Sequence, residues 1–213
     1  MPSLHIHRNA LRGLYVILDT ATPYAHPLAD VMRQAASAGA TLFQYRDKRD
    51  SAQQAYRQAL TLRAMARECG VLFIVNDRCD LALAIEADGV HLGQDDLPLA
   101  LARQVMGPEA LIGVSTHTAA EVEEATMGGA DYLGFGPIFA TGTKPDHEPV
   151  VGLDGLRQIR RLTPLPLFAI GGITLDRAEA IAQAGADGVA VISALAKAPN
   201  PTDVVRTFNA AFR

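Results

Sequence analysis

A single-domain (β/α)8 TIM barrel is the fold this sequence predicts, on three observations. Eight short apolar runs recur along the chain, each of strand length. Most of the gaps between them suit one helix, and alternating strand and helix signals indicate βα units around a parallel sheet. Nearly every run stops at polar residues, and in a barrel of this kind the chemistry sits where the strands stop.

The strands are expected at Leu14–Leu18, Thr41–Tyr45, Val71–Val75, Gly89–Leu92, Leu111–Val114, Tyr132–Phe135, Leu167–Ile170 and Gly188–Ile192. Amphipathic, alanine-rich segments fit between them as helices. These are Leu28–Ala38, Ala52–Cys69, Asp80–Glu86, Leu99–Met106, Ala119–Met127, Leu153–Arg161, Leu175–Ala184 and, after the last strand, Asp203–Phe212. Residues 1–12 form an N-terminal arm and 13–213 the barrel. His5 and His7 in the arm could touch a metal, but an unstructured polar arm is the commoner state of such a terminus.

A weak repeat sets the register. Gly39-Ala40-Thr41, Ala87-Asp88-Gly89, Gly129-Ala130-Asp131 and Gly185-Ala186-Asp187-Gly188 fall just before strands two, four, six and eight. They lie about 43 to 56 residues apart, which implies about 21 to 28 residues per βα unit, a usual size. A glycine there can end the preceding helix in a left-handed conformation. The long connection between Gly136 and Leu153 breaks the rhythm, and long loops in compact domains are usually functional. It follows strand six, on the catalytic face, and reads as a lid.

The chain has 213 residues, 49% of them hydrophobic, enough for one domain with a large core. Its net charge of −4 argues against nucleic acid and anionic membrane as partners. An anionic substrate must therefore be met by a local basic cluster. Cys69 and Cys79 make no disulfide framework and read as free thiols in a reducing compartment. With no apolar run of signal-peptide or membrane-span length, a cytoplasmic location is the expectation. A homo-oligomer is compatible with the sequence, which does not fix the oligomeric state.

Five constellations carry chemistry. In Gln44-Tyr45-Arg46-Asp47-Lys48, strand alternation turns Gln44, Arg46 and Lys48 to one side. An arginine fork beside a lysine point charge suits phosphate oxygens; the competing reading is a solvated strand end paired with Asp47 and Asp50. Asn76-Asp77 and Asp95-Asp96 close adjacent strands. They form an oxygen-rich pocket of the kind Mg2+ prefers, with no zinc-type Cys/His cluster; the competing reading is helix capping by Asp77 and Asp96. In Gly113-Val114-Ser115-Thr116-His117 the G-x-S-x-G elbow is missing, so Ser115 reads as a hydrogen-bonding partner of a heterocycle. Thr141-Gly142-Thr143-Lys144 in the lid suits anion capture. Gly171-Gly172-Ile173-Thr174 with Ile192-Ser193 suits a phosphate held on backbone N–H groups after strands seven and eight. The map has a cationic, metal-assisted anion site on strands two to four and a neutral one on strands seven and eight. That layout suits joining two phosphorylated molecules with loss of diphosphate from one.

In this order, these stretches resemble the thiamine-phosphate synthase family from Gly13 to about Lys197. Val75-Asn76-Asp77, Asp88-Gly89-Val90-His91-Leu92-Gly93-Gln94-Asp95-Asp96, Gly134-Phe135-Gly136-Pro137-Ile138-Phe139 and Val191-Ile192-Ser193 belong to the match. The resemblance implies condensation of 4-amino-5-hydroxymethyl-2-methylpyrimidine diphosphate with 4-methyl-5-(2-phosphoethyl)thiazole, or its carboxylate, with Mg2+ required. It implies that Gln44, Arg46, Lys48, Asn76, Ser115 and Lys144 hold the pyrimidine diphosphate, and that Tyr45, Asp47 and Gly142 lie within the binding motifs. By the same resemblance Asp77 and Asp96 hold Mg2+, and Thr141, Thr143, Gly172, Ile192 and Ser193 hold the thiazole phosphate. Arg46, Lys48, Ser115 and Lys144 are the implied catalytic set. The rival readings are a thiazole tautomerase on the same barrel, which needs neither diphosphate clamp nor metal carboxylates, and a non-catalytic phosphate-ligand sensor.

Overall fold

A computed structural model describes residues 11–141 and 149–212. Eight parallel strands close into a barrel in sequence order, the first pairing with the eighth. They are β1 (Gly13–Asp19), β2 (Leu42–Arg46), β3 (Leu72–Asn76), β4 (Gly89–Leu92), β5 (Leu111–Thr116), β6 (Tyr132–Phe135), β7 (Leu167–Ile170) and β8 (Gly188–Val191). The helices outside are α1 (Leu28–Ser37), α2 (Ala52–Cys69), α3 (Cys79–Ala84), α4 (Leu99–Met106), α5 (Ala119–Met127), α6 (Gly152–Arg160), α7 (Ala178–Gln183), α8 (Ser193–Ala196) and α9 (Pro201–Ala211). Among the described residues no helix is long and apolar enough to cross a membrane. Cys69 and Cys79 are free thiols.

Local chemistry sets the boundaries. The Ser51 hydroxyl accepts from Gln54 N and the Gln54 side chain reaches back, a capping box that fixes the start of α2. Thr118 and Glu121 do the same for α5. Three helices depart from the sequence expectation. The segment after β7 begins as a 3-10 turn, Leu175–Arg177, before α7. Ser193–Ala196, which falls in none of the expected elements, forms the one-turn α8. The last helix starts earlier than Asp203, because Asn200 accepts from Thr202 N and Pro201 sits preorganised in the first turn.

Two cores share the strands. One lies between strands and helices and includes Leu14, Val16, Leu18, Phe43, Phe73 and Phe208. The other fills the barrel itself, with Tyr15, Ile17, Leu42, Ile74, Tyr132 and Phe168. Full burial of a side chain such as Phe168 contributes about 1.5–3 kcal/mol. Leu11, near the end of the expected arm, is buried in this interior cluster. Gly113 makes room for the aromatics: a Cβ there would stand 2.1 Å from the Tyr132 ring and 2.5 Å from His91 Nδ1.

The sequence repeat is a repeated clamp on the face where strands begin. Ala40, Ala87, Ala130 and Ala186 each donate to a carbonyl five residues back, on Ala35, Ala82, Ala125 and Ile181. That bond closes each helix as a Schellman motif. Gly39, Gly129 and Gly185 take positive φ (101°, 85° and 100°); the second repeat uses Glu86 at 52° instead. The aspartate that follows then joins a helix to a neighbouring strand. Asp88 accepts from Phe73 N and from Arg63 of α2; Asp131 from Ile112 N and Arg103 of α4; Asp187 from Leu167 N and Arg160 of α6. The first quarter has Thr41 at this position. There Asn209 of α9 accepts from Leu14 N and donates to Gly39 O.

Candidate active site

The opposite face gathers the strand ends. On β2, Gln44 is buried in the barrel mouth. Arg46 reaches across to β1, its Nη1 2.6 Å from Asp19 Oδ1. Asp19 is 2% exposed and also accepts from the Thr22 hydroxyl, so it holds the guanidinium from behind. Sequence reasoning missed Asp19, although the rule that found the others, the first polar residue after an apolar run, applies to it equally. Lys48 lies beyond the strand and makes an ion pair with Asp77.

Tyr45 and Asp47 turn away from the mouth. The Tyr45 ring is buried among the helices, and its hydroxyl donates to Gln58 of α2. Asp47 accepts from Thr20 Oγ1, Arg49 N and Asp50 N, which organises the β2–α2 turn. Their side chains therefore shape the loop that carries Lys48.

Asp77 and Asp96 do not cap helices. α3 has Arg78 at its cap position with no side-chain bond. Asp77 itself adopts a left-handed φ of 62°, with its N–H on His91 O. Asp96 Oδ2 accepts from Gly93 N at 2.7 Å, folding the β4 loop back on itself. This brings the two carboxylates together. Burial, and then the Asp96 carboxyl within hydrogen-bonding reach, push the Asp77 pKa above the usual range, while Lys48 opposes the shift. Two like charges held in proximity are what a hard cation relieves. Among the described residues no group of three or more His, Cys, Asp or Glu forms a metal cage. The adjacent Asp77 and Asp96 carboxylates fit a cation that takes one or two carboxylates and completes its shell with water and phosphate oxygens.

Two cavities adjoin at the mouth. The smaller, about 30 Å³, is lined by Gln44, Arg46, Asn76, His91 and Ser115. The larger, about 350 Å³, is lined by Thr141, Gly171, Gly172, Ile192, Ser193 and His117, among others. Ile170, Ala190 and Ile192 line both. His117 Nδ1 lies 2.5 Å from Gly136 O, and its N–H donates to Glu121, so it braces the β5–β6 ends. Asp95 and Gln94 also face the larger cavity, and Gln94 donates to Ser115 O.

Gly172 has φ 62°, and a Cβ on it would meet Ala140 O at 2.5 Å. The loop after β7 is thus packed tightly on the root of the β6–α6 connection, where Ile138 N and Phe139 N donate to Ile170 O and Gly171 O. A cation does stand near this loop, contrary to the sequence reading. Arg177 donates to Gly172 O at 2.6 Å, with its guanidinium 4.2 Å from the Phe139 ring centre. It lies outside the residues lining the cavity and acts on the loop's shape. Gly142, Thr143 and Lys144, with the Asp146/Glu148 stretch of the expected lid and the His5/His7 pair, lie outside the described residues.

Comparison with known proteins adds an independent line. Residues 14–195 match the family model described as thiamine monophosphate synthase. The thiamine-phosphate synthase of Chloroflexus aurantiacus is 49% identical over 92% of this chain and 91% of its own. That of Moorella thermoacetica is 47% identical over 85% and 87%. The solved thiamine phosphate pyrophosphorylase from Pyrococcus furiosus superposes with a TM-score of 0.86 at 39% identity, covering 97% of both chains. The barrel, the paired cavities and these matches converge: the chain belongs to the thiamine monophosphate synthase family.

Proposed function

We propose that this chain joins 4-amino-5-hydroxymethyl-2-methylpyrimidine diphosphate to 4-methyl-5-(2-phosphoethyl)thiazole, or its carboxylate, giving thiamine monophosphate and diphosphate, with carbon dioxide also lost from the carboxylated form. The observation that carries the reading is the pair of adjoining cavities. One is lined by Gln44, Arg46, Asn76 and Ser115, with Lys48 and Asp77 just beyond Arg46 and Asn76 in the chain. The other is ringed by the β7 and β8 loops.

In this reading the pyrimidine sits between Gln44 and Ser115, with its diphosphate toward Asn76, Arg46 and Lys48. Asp77 and Asp96 would hold Mg2+, which supplies positive charge for the leaving diphosphate. Without a cation the two carboxylates would repel the group that Arg46 and Lys48 attract. The C–O bond breaks with its electron pair going to diphosphate, and the aminopyrimidine delocalises the positive charge left on the methylene. The thiazole nitrogen, presented from the larger cavity, then forms the new C–N bond. No general base is needed. The residues work by placing fixed charge where negative charge develops. Thr141, Gly172, Ile192 and Ser193 hold the thiazole phosphate, and Gly142, Thr143 and Lys144 belong to the same motif by resemblance. Small molecules are the partners, and the cytoplasm is the location this biosynthetic role suits.

The test is incubation of the purified protein with both substrates and Mg2+, with detection of thiamine monophosphate and released diphosphate. A thiazole tautomerase would interconvert thiazole isomers with no diphosphate released, and a ligand sensor would turn over nothing. Either result would overturn the reading.

A further inference from the structure

Barrel interiors are filled mainly by branched apolar side chains, yet five polar groups run through this one in a single file. Gln44 Nε2 lies 2.7 Å from Tyr15 Oη, and Tyr15 Oη lies 2.8 Å from Tyr132 Oη. Tyr132 Oη is 3.2 Å from His91 Nδ1, and His91 Nε2 is 2.9 Å from Ser115 Oγ. Tyr15 and Tyr132 are 1% and 0% exposed, so bulk solvent reaches neither phenol, and of the two only Tyr15 borders the smaller cavity. Four of the five, Tyr15, Gln44, His91 and Ser115, line the smaller cavity, with Gln44 and Ser115 at the two ends of the file.

We propose that Tyr15, Tyr132 and His91 are positioning residues that fix the hydrogen-bonding polarity of Gln44 and Ser115, so that the subsite selects a ring bearing an amino group over its oxo counterpart. This rests on the functional reading above for the identity of the ring. The argument is a proton count. An amide nitrogen only donates, so the Tyr15 oxygen accepts from Gln44 and its single proton passes on to Tyr132. Tyr132 must then give its own proton to His91 Nδ1. Burial raises both phenol pKa values, which keeps those protons in place. A neutral imidazole accepting at Nδ1 carries its hydrogen on Nε2 and donates it to Ser115 Oγ.

Two consequences follow at the cavity. Gln44 turns its carbonyl oxygen, an acceptor, outward. Ser115 keeps its own proton free to donate. An aminopyrimidine offers the complement, an N–H donor beside a ring-nitrogen acceptor. An oxo ring offers a carbonyl beside an N–H, which faces like against like at both positions. Sites built this way reject the mismatched ligand strongly, because their buried groups are left unpaired.

The first test is the His91 tautomer in the ligand-free protein, read by nitrogen-15 NMR. The expected state has hydrogen on Nε2 and none on Nδ1. Hydrogen on Nδ1 would mean the file runs the other way, with Gln44 turned over, and would overturn the proposal whatever the enzyme's substrate. The second test compares kcat/KM for the aminopyrimidine diphosphate and its 4-oxo analogue in the parent protein, Tyr15→Phe and Tyr132→Phe. Both substitutions keep the ring and break the file. Each should cut the amino-to-oxo preference by about 10- to 100-fold, the loss for a buried group set free to reorient. KM for the thiazole phosphate and the Mg2+ requirement should stay within about twofold. An unchanged preference, or an equal loss on both rings, would reduce these residues to packing and overturn the proposal. If the parent protein turns over neither ring, the functional reading fails while the tautomer result still stands by itself.

Discussion

Asp77 sits at the crossing of three influences. Its backbone is in the left-handed region, held there by the hydrogen bond to His91 O. Such a conformation costs a non-glycine residue about 1–2 kcal/mol and is usually retained where a side chain must point a particular way. Here it points at Asp96 and Lys48. We expect Asp77→Asn and Asp96→Asn each to raise the Mg2+ concentration for half-maximal rate by about tenfold or more, the scale of one lost charged ligand. The raised Asp77 pKa adds a sign. Protons compete with the cation from a higher pH than for an ordinary aspartate, so the parent protein's Mg2+ requirement should climb as pH falls through that pKa. Asp77→Asn should lack this climb. Rate against Mg2+ at several pH values checks both statements, and curves identical to the parent would remove these residues from the metal site.

At this scale the sequence was legible where polar residues follow an apolar run: Gln44, Arg46, Asn76, Asp77 and Ser115 all reach the barrel mouth or its carboxylate pair. It was less legible for residues whose role depends on a distant partner. Nothing local to Asp19 says that Arg46 will lean on it, and nothing around Tyr15 predicts Tyr132, 117 positions away. Tyr45 and Asp47 sit inside an informative motif, yet their side chains serve the turn. Spacing places residues on a strand but does not reveal which neighbours a closed barrel supplies.

Among the elements, the loop after β7 shows how a cavity wall is fixed by its back. Arg177 pins Gly172 O from one side, and the Phe139–Ala140 backbone presses from the other. No side chain fits on Gly172 without displacing Ala140 O, and its φ of 62° disfavours any replacement further. Gly172→Val should therefore raise KM for the thiazole phosphate by about tenfold or more, the effect of shifting backbone donors off their target. The pyrimidine diphosphate KM should stay near the parent value, because the polar groups of that subsite, Gln44, Arg46, Asn76 and Ser115, come from β2, β3 and β5. Steady-state kinetics with each substrate varied in turn decides the matter; equal weakening of both would mean that the barrel itself had shifted. The strand pattern foretold this loop through its two glycines, but Arg177 was hidden in the 3-10 turn that replaced the first part of an expected helix.

For the molecule as a whole, stability and chemistry occupy opposite ends. All eight strands were readable from apolar runs, since each is buried on both faces. The pairwise repeat was readable too, but its meaning was not. The aspartates before strands four, six and eight bind arginines on helices that start more than twenty residues earlier. Asp131→Ala would leave the Ile112 N–H unpaired and remove the charged partner of Arg103, whose guanidinium keeps the Gly107, Ala110 and Gly129 carbonyls. Removing one member of such a pair costs about 2–4 kcal/mol. For a chain of this size that lowers Tm by about 5–15 °C. Asp131→Asn, which retains an acceptor, should lose less. Calorimetry beside an activity assay at a temperature where both variants are folded checks this, with kcat expected within about twofold of the parent. A loss of kcat in the folded variant would tie the two ends of the barrel together.

The odd clamp, made by Asn209, has a bearing on biogenesis. Its partner, Leu14, lies 195 positions earlier in the chain. β8, the other neighbour of β1, is likewise made late. As the polypeptide emerges, one flank of the first strand therefore stays open until β8 and α9 have been made, a ready template for pairing with the wrong strand. Every other quarter can tie its helix to its strand soon after both exist. The amide on α9 closes that flank last, so the barrel's first strand waits on its final helix to be locked.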